Sequence, residues 1–116
     1  MKNKRIEGNI GEQIAVNYLL KNGYNILERN YIAKGGEVDI IANIEDIIVF
    51  IEVKNRNSKT FGQSLEAITP NKVKCIVKSA KQFIHSNKLY ARPIRFDIIA
   101  IDNEEIEHIT DAFWGN

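Results

Sequence analysis

The feature that most constrains this chain is the run Ile47-Ile48-Val49-Phe50-Ile51, followed at once by Glu52-Val53-Lys54. Five apolar residues in a row, mostly β-branched, read as a central strand. The run is far short of the roughly 20 apolar residues that a bilayer-spanning helix needs. Side chains two apart on a strand share a face. Glu52 and Lys54 therefore project together, on the side of Phe50 and Ile48, while Val49, Ile51 and Val53 face the other way. Charged groups at the end of a central strand are costly unless they are paired, solvated or bound to something.

The flanking sequence supplies neighbours for that strand. Residues 6–22 read as a helix, with Ile10, Ile14, Ala15, Tyr18 and Leu19 in one half of the helical wheel. Gly8 and Gly11 fall in the same arc, where small residues let another backbone come close, and Asn22-Gly23 is a stop signal. Tyr24 to Ala33 reads as a strand of mixed polarity, and Lys34-Gly35-Gly36 as a turn. Glu37 to Ile44 alternates, with Val38, Ile40 and Ala42 expected on one face and Glu37, Asp39 and Ile41 on the other. Glu45-Asp46 is a tight turn that joins this strand to the central one as a hairpin.

Residues 55–68 read as a polar loop. Thr69-Pro70 then opens a helix that runs to about Asn87, with a hydroxyl cap followed by proline at the first helical position. Val73, Ile76, Val77, Ala80, Phe83 and Ile84 form its apolar stripe, and Lys74, Lys78 and Lys81 lie opposite. After the break at Ala91-Arg92-Pro93, Ile94 to Ile101 is a strand, and Glu105 to Ile109 is a candidate final one. The order α-β-β-β-α-β describes a small mixed α/β sheet flanked by helices. At 116 residues, the chain reads as a single domain, 1–116.

The formal net charge of +1 hides a segregation. Residues 61–95 carry seven positive side chains and one negative, whereas residues 96–116 carry six negative and none positive. Such asymmetry marks either a nucleic-acid surface or a solvated lysine face. The basic start Met1-Lys2-Asn3-Lys4-Arg5 is not followed by an apolar stretch, so it is not read as a secretory signal. Cys75 is the only cysteine, which excludes an intramolecular disulfide and a cysteine-based zinc site. The expected compartment is the cytoplasm, with no membrane partner.

The chemistry is concentrated in two places, Gly36-Glu37-Val38-Asp39-Ile40 and Ile51-Glu52-Val53-Lys54. The hairpin brings Asp39 beside the Glu52/Lys54 pair, so two carboxylates and an ammonium converge. That set suits metal-assisted phosphodiester hydrolysis. Hard ions such as Mg²⁺ or Mn²⁺ prefer oxygen ligands and take one or two carboxylates from the protein. Such an ion polarises a phosphoryl oxygen and lowers the pKa of a bound water. A nearby lysine orients that water or stabilises developing charge. The plain alternative is a same-face Glu52/Lys54 ion pair on an exposed strand. Glu12 sits at the edge of the first helix's apolar arc, within reach of the sheet, and Glu37 is a secondary acid.

The strings Gly36-Glu37-Val38-Asp39-Ile40-Ile41-Ala42 and Phe50-Ile51-Glu52-Val53-Lys54-Asn55-Arg56 resemble the PD-(D/E)XK nuclease signature. They more closely resemble the bacterial YraN-like family of predicted endonucleases. The likeness continues through Gly11-Glu12, Arg29-Asn30-Tyr31, Phe61-Gly62, Ala67-Ile68-Thr69-Pro70-Asn71-Lys72, Arg95-Phe96-Asp97 and Asp111-Ala112-Phe113, in collinear order. Val38 stands where the signature has its proline. The resemblance implies a restriction-endonuclease-like fold related to archaeal Holliday-junction resolvases. It implies that Asp39 and Glu52 hold the divalent ion, that Lys54 assists catalysis, and that Glu12 completes the acidic cluster, directly or through water. It also implies a backbone carbonyl ligand from Val53.

The implied activity is metal-dependent endonucleolytic hydrolysis of DNA, with branched DNA as one candidate substrate. The alternatives are a non-enzymatic nucleic-acid-binding module of the same fold and, more weakly, a protein–protein adaptor. Asn55, Arg56, Lys59 and Gln63 are candidate phosphate contacts. Lys72, Lys74, Lys78 and Lys81 form either a backbone-contacting stripe or a solvated face. His85 and His108 fit no ligand spacing and read as surface or structural residues. Phe113 and Trp114 read as a tail docked on the core or as a dimer contact. The analogy with resolvases, which need two active sites, points to a homodimer.

Overall fold

The computed structural model describes residues 4–55, 68–103 and 105–113, with side chains from residue 10 onward. Its elements are α1 (Lys4–Lys21), β1 (Asn25–Ala33), β2 (Gly36–Ile44), β3 (Ile47–Asn55), α2 (Pro70–Ser86), β4 (Ile94–Asp102) and β5 (Glu105–Ile109). The mixed α/β architecture expected from the sequence is present, and the candidate fifth strand forms. Arg56, Lys59 and Gln63 lie outside the described residues, as do Phe61-Gly62 and Trp114.

The five strands form one sheet in the order β1-β2-β3-β4-β5. The apolar run is therefore in the middle. β2 and β3 form the expected antiparallel hairpin, with Ile40 opposite Ile51 and Ile44 opposite Ile47. β3 and β4 are parallel, from Ile48 opposite Ile94 to Asn55 opposite Ile101. A parallel pair needs a long connection, and here the segment containing α2 provides it.

Each face of the sheet buries its own cluster. Ala15, Val16 and Leu19 of α1 pack with Ile40, Ala42, Val49, Ile51, Ile99 and Ile101. Ile76, Ala80 and Phe83 of α2 pack with Val38, Ile41, Ile48, Phe50 and Phe96. Phe50 joins strand and helix, with ring centroids 6.1 Å from Phe83 and 5.6 Å from Phe96. Phe113 stacks on Phe96 at 5.3 Å, so this part of the tail is docked on the core.

The helix caps follow the sequence signals. Thr69 Oγ1 accepts the Lys72 N–H at 3.1 Å, with Pro70 in the first helical position. The Lys34–Gly36 turn is pressed against α2. Gly35 has φ of +95°, and a Cβ on Gly36 would lie 2.5 Å from the Cys75 carbonyl oxygen. Only glycine tolerates that approach, and it fixes the start of β2 three residues before Asp39.

Two expectations are corrected. Ile10 is 58% exposed, although the wheel put it on the apolar arc. At that level α1 meets polar groups and not the apolar sheet: Gly11 abuts the Asn55 side chain, and Glu12 meets Arg29 and Asn30. The close approach at Gly11 is thus made by a side chain and not by another backbone. The second correction concerns Val38, which lies with Ile41 in the α2 cluster, while Ile40 and Ala42 face α1. The simple alternation of β2 breaks at Asp39.

The neighbouring strand explains the break. Arg29 pairs with Ile40 and Tyr31 with Val38. Arg29 reaches Glu12 on α1, yet Tyr31, two residues on, packs into the α2 cluster. Both strands therefore change face between these two pairs. Asn30, at the change, has φ of +52°, a left-handed conformation that asparagine tolerates better than most residues. Local irregularities of this kind re-aim side chains and end strand pairing, and β2 pairs with β3 only over Ile40–Ile44.

Candidate functional site

Asp39 sits where β2 parts from β3. Its Oδ2 accepts the Val53 N–H at 2.8 Å, so the carboxyl ties the diverging strands together. The Asp39 and Glu52 carboxyls lie close enough to interact directly. Glu52 is buried at 4% exposure, and Asp39 is half-buried. Burial, then the Glu52 charge, push the Asp39 carboxyl up to about 8; the Val53 N–H opposes this only in part, and Glu12 adds a further push. Two carboxyls this close cannot both ionise cheaply without a cation. The Asp39 carboxyl is thereby biased toward its protonated form at neutral pH.

Lys54 lies half-buried two residues beyond Glu52, on the same side of the strand, as the sequence predicts. The ammonium on Glu52, however, belongs to Lys72. Its Nζ lies 2.9 Å from Glu52 Oε2. Lys72 is thereby separated from Lys74, Lys78 and Lys81, the other candidate backbone contacts on α2. The hydrogen bond to Glu52 raises the Lys72 pKa, partial burial lowers it somewhat, and the charges of Glu52, Asp39 and Glu37 raise it further. Glu37 is exposed and belongs to this surrounding charge, not to the carboxyl pair.

Glu12 is buried at 5% exposure, and its Oε1 accepts Arg29 Nε at 2.9 Å and Asn30 Nδ2 at 3.0 Å. Arg29 also donates to Gln13 Oε1 at 3.0 Å. Among the described residues no three His, Cys, Asp or Glu side chains come together as a metal-ligand group. The expected three-acid cluster is thus a close pair, Asp39 and Glu52, with Glu12 nearby on its own partners. The reason is the left-handed turn at Asn30, which puts the Asn30 amide and the Arg29 guanidinium on Glu12. The donor set still fits a hard divalent ion, which uses one or two carboxylates and completes its shell with carbonyls and water.

The remaining candidates fall into two groups. Asn55 is exposed at the end of β3, beside Gly11. Lys74, Lys78 and Lys81 are exposed on α2, where they line a groove with Gly35 and Phe113. Lys78 reaches over the Gly35 turn, 3.0 Å from where a Cβ would stand.

A second polar cluster escaped sequence reasoning. Asp97 is fully buried. It accepts Arg95 through both carboxylate oxygens at 2.9 and 2.8 Å, the Asp111 N–H at 3.0 Å, and His108 Nε2 at 2.7 Å. Tyr18 Oη lies 3.0 Å from His108 Nδ1, and Arg95 donates to Tyr24 Oη at 2.8 Å. With its proton on Nε2, His108 donates to Asp97 and accepts from Tyr18. Burial would raise the Asp97 pKa, but the bonds from His108, Arg95 and Asp111 outweigh it and hold the carboxyl below its ordinary value. The cluster fastens α1 and β5 to β4. His108 thus has the structural role that its spacing suggests, whereas Arg95 and Asp97 gave no signal beyond their place in a shared motif.

No helix among the described residues is long and apolar enough to cross a membrane. Residues 11–101 match the model of a family described as "Uncharacterised protein family UPF0102". A UPF0102 protein of Clostridioides difficile is 46% identical over 113 residues, covering 96% of this chain and 99% of its own length. A UPF0102 protein of Sulfurihydrogenibium is 44% identical over 110 residues, covering 95% and 96%. One from Trichlorobacter lovleyi is 45% identical over 118 residues, covering 97% and 93%. With a family match across most of its length and relatives aligned almost end to end, the chain belongs to the UPF0102 family, the YraN-like group that its motifs resemble.

Proposed function

We propose that the protein is a metal-dependent endonuclease of the PD-(D/E)XK superfamily, related to Holliday-junction resolvases, that hydrolyses DNA phosphodiester bonds. The observation that carries this reading is the close Asp39–Glu52 carboxyl pair at the end of the central strand, anchored by the Val53 N–H and flanked by Lys54 and Lys72. Asp39 and Glu52 would hold a divalent ion, with the Val53 carbonyl as an additional candidate ligand. Such an ion, when bound, supplies positive charge at a phosphoryl oxygen and acidifies a bound water.

The protein's own groups do the rest. Val53 N–H fixes the Asp39 carboxyl, and Arg29 and Asn30 fix Glu12 behind it. Lys54, adjacent to Glu52 on the same face, stabilises negative charge that develops on the phosphate. Exposed Lys74, Lys78 and Lys81 supply sequence-independent attraction to the DNA backbone.

The test is incubation of purified protein with branched, duplex and single-stranded DNA in Mg²⁺ or Mn²⁺, beside Asp39→Ala and Lys54→Ala. Cleavage by the wild type that both variants lose supports the reading; no cleavage, or equal cleavage by the variants, ends it. One observation favours a second reading, a non-enzymatic DNA-binding module: Lys72 already offsets the Glu52 charge without a metal. That module would bind DNA in a salt-sensitive manner, survive Asp39→Ala, and take up no Mg²⁺ in calorimetry.

A further inference from the structure

We infer that Lys72 is a placeholder cation: it occupies Glu52 in the metal-free protein, is displaced by a divalent ion, and then contacts a DNA phosphate. This rests on the reading of Asp39 and Glu52 as metal ligands and deepens it.

Lys72 is in an unusual place for a lysine. It is the third residue of α2, and its N–H is the one capped by Thr69. That position commonly carries Glu or Gln, which reach back to the cap. A cation there faces the positive end of the helix dipole, and the first turn of α2 holds no acidic residue to offset it. Glu52 provides the compensation instead, at 2.9 Å.

The pair is asymmetric. The Glu52 side chain is 5% exposed and the Lys72 side chain 46%. The carboxylate is fixed inside, and the ammonium reaches it from the mouth of the site on a flexible four-carbon stem. An ion that takes Glu52 as a ligand competes for the same carboxylate and repels the ammonium beside it. Lys72 is the partner able to leave, because its exit is toward water. Once released, it is an unpaired cation at the entrance, where a phosphate of bound DNA would lie. The arrangement also keeps Glu52 compensated before the metal arrives, since a buried carboxylate without a partner is strongly destabilising.

Three measurements test this. In the wild-type protein, lysines are acetylated with limiting acetic anhydride, with and without saturating Ca²⁺ or Mg²⁺, and read by peptide mass spectrometry. Lys72 should become several-fold more reactive with the ion while Lys78 and Lys81 do not change; unchanged or reduced reactivity at Lys72 overturns the inference. Calorimetry with Mn²⁺ should show several-fold tighter binding to Lys72→Met than to the wild type; equal or weaker binding overturns it. DNA binding in Ca²⁺ should lose about one unit of salt slope in Lys72→Met, with no such loss in EDTA. Equal loss in both would make Lys72 a constant phosphate contact and also overturn the inference. The two readings fail separately. If neither ion binds the wild type, the metal reading falls and takes this one with it. If metal binds but Lys72 does not respond, this one alone falls.

Discussion

Asn30 falls opposite Asp39, between the pairs Arg29–Ile40 and Tyr31–Val38, and both strands change face at that point. The left-handed backbone of Asn30 turns its amide onto Glu12, and the same irregularity leaves Asp39 between β1 and β3 with the Val53 N–H as its anchor. The carboxyl pair exists because the hairpin is imperfect here. A regular β2 would continue its pairing with β3 past Ile40 and satisfy Val53 with a backbone carbonyl.

Asn30→Val should therefore be costly. A β-branched residue at φ of +52° is strained by about 1–3 kcal/mol, and the bond to Glu12 is lost as well. Asn30→Gly keeps the backbone and loses only the bond. Urea unfolding should rank wild type, Asn30→Gly and Asn30→Val in falling stability. If valine matches glycine, the conformational argument is wrong.

The Asp39 pKa gives a signed prediction. Its folded value of about 8 lies above the ordinary 3.8, so the native state holds a proton that the unfolded chain has released. The contribution is fully present below pH 3.8 and is lost as pH rises toward 8. In EDTA, the wild-type Tm should fall relative to Asp39→Asn as pH rises through that window. Binding of Mg²⁺ near pH 7 should release a proton from the pair, which is measurable by calorimetry in buffers of different ionisation enthalpy. Parallel Tm curves for the two proteins would contradict the raised Asp39 pKa.

The elements legible in the sequence were those set by local pattern. The apolar run of β3, the Thr69-Pro70 cap and the Glu45-Asp46 turn each act within a few residues, and each forms as expected. The face change at Asn30 and Asp39 is different, because it arises between residues nine apart in sequence on two neighbouring strands and breaks a period that the residue types obey. The Lys72–Glu52 pair depends on where α2 lands against β3, which no local pattern around Lys72 carries. Arg95, Asp97 and His108 look like surface residues in a string; only the fold brings α1, β4 and β5 around them.

Gly11 offers a test of the contact between α1 and the end of β3. A Cβ there would collide with the Asn55 side chain, which is exposed and movable. Alanine in a helix is otherwise favoured over glycine by about 1 kcal/mol. In an Asn55→Ala background, Gly11→Ala should stabilise by that amount, and in the wild-type background by clearly less or not at all. A double-mutant cycle reads the difference as coupling. Zero coupling would mean that the two residues do not touch.

Asp97 provides the contrast to Asp39. Its carboxyl is held below the ordinary range despite burial, so its contribution to stability is present above the unfolded pKa and lost as pH falls through the lower folded one. Asp97→Asn keeps the shape but leaves Arg95 without its ion pair and removes an acceptor from His108. Removing one partner of a buried pair costs about 3 kcal/mol. The stability gap between wild type and Asp97→Asn should be near that value at pH 7 and should narrow below about pH 4, where the carboxyl protonates in the unfolded chain while the folded one still holds its charge. If Asp39 and Glu52 hold a divalent ion as proposed, its binding should persist in the folded variant, because the Asp97 cluster joins α1 and β5 to β4 and, among the described residues, no hydrogen bond links it to the carboxyl pair. Loss of Mn²⁺ binding in a folded Asp97→Asn protein would show that the two clusters are coupled.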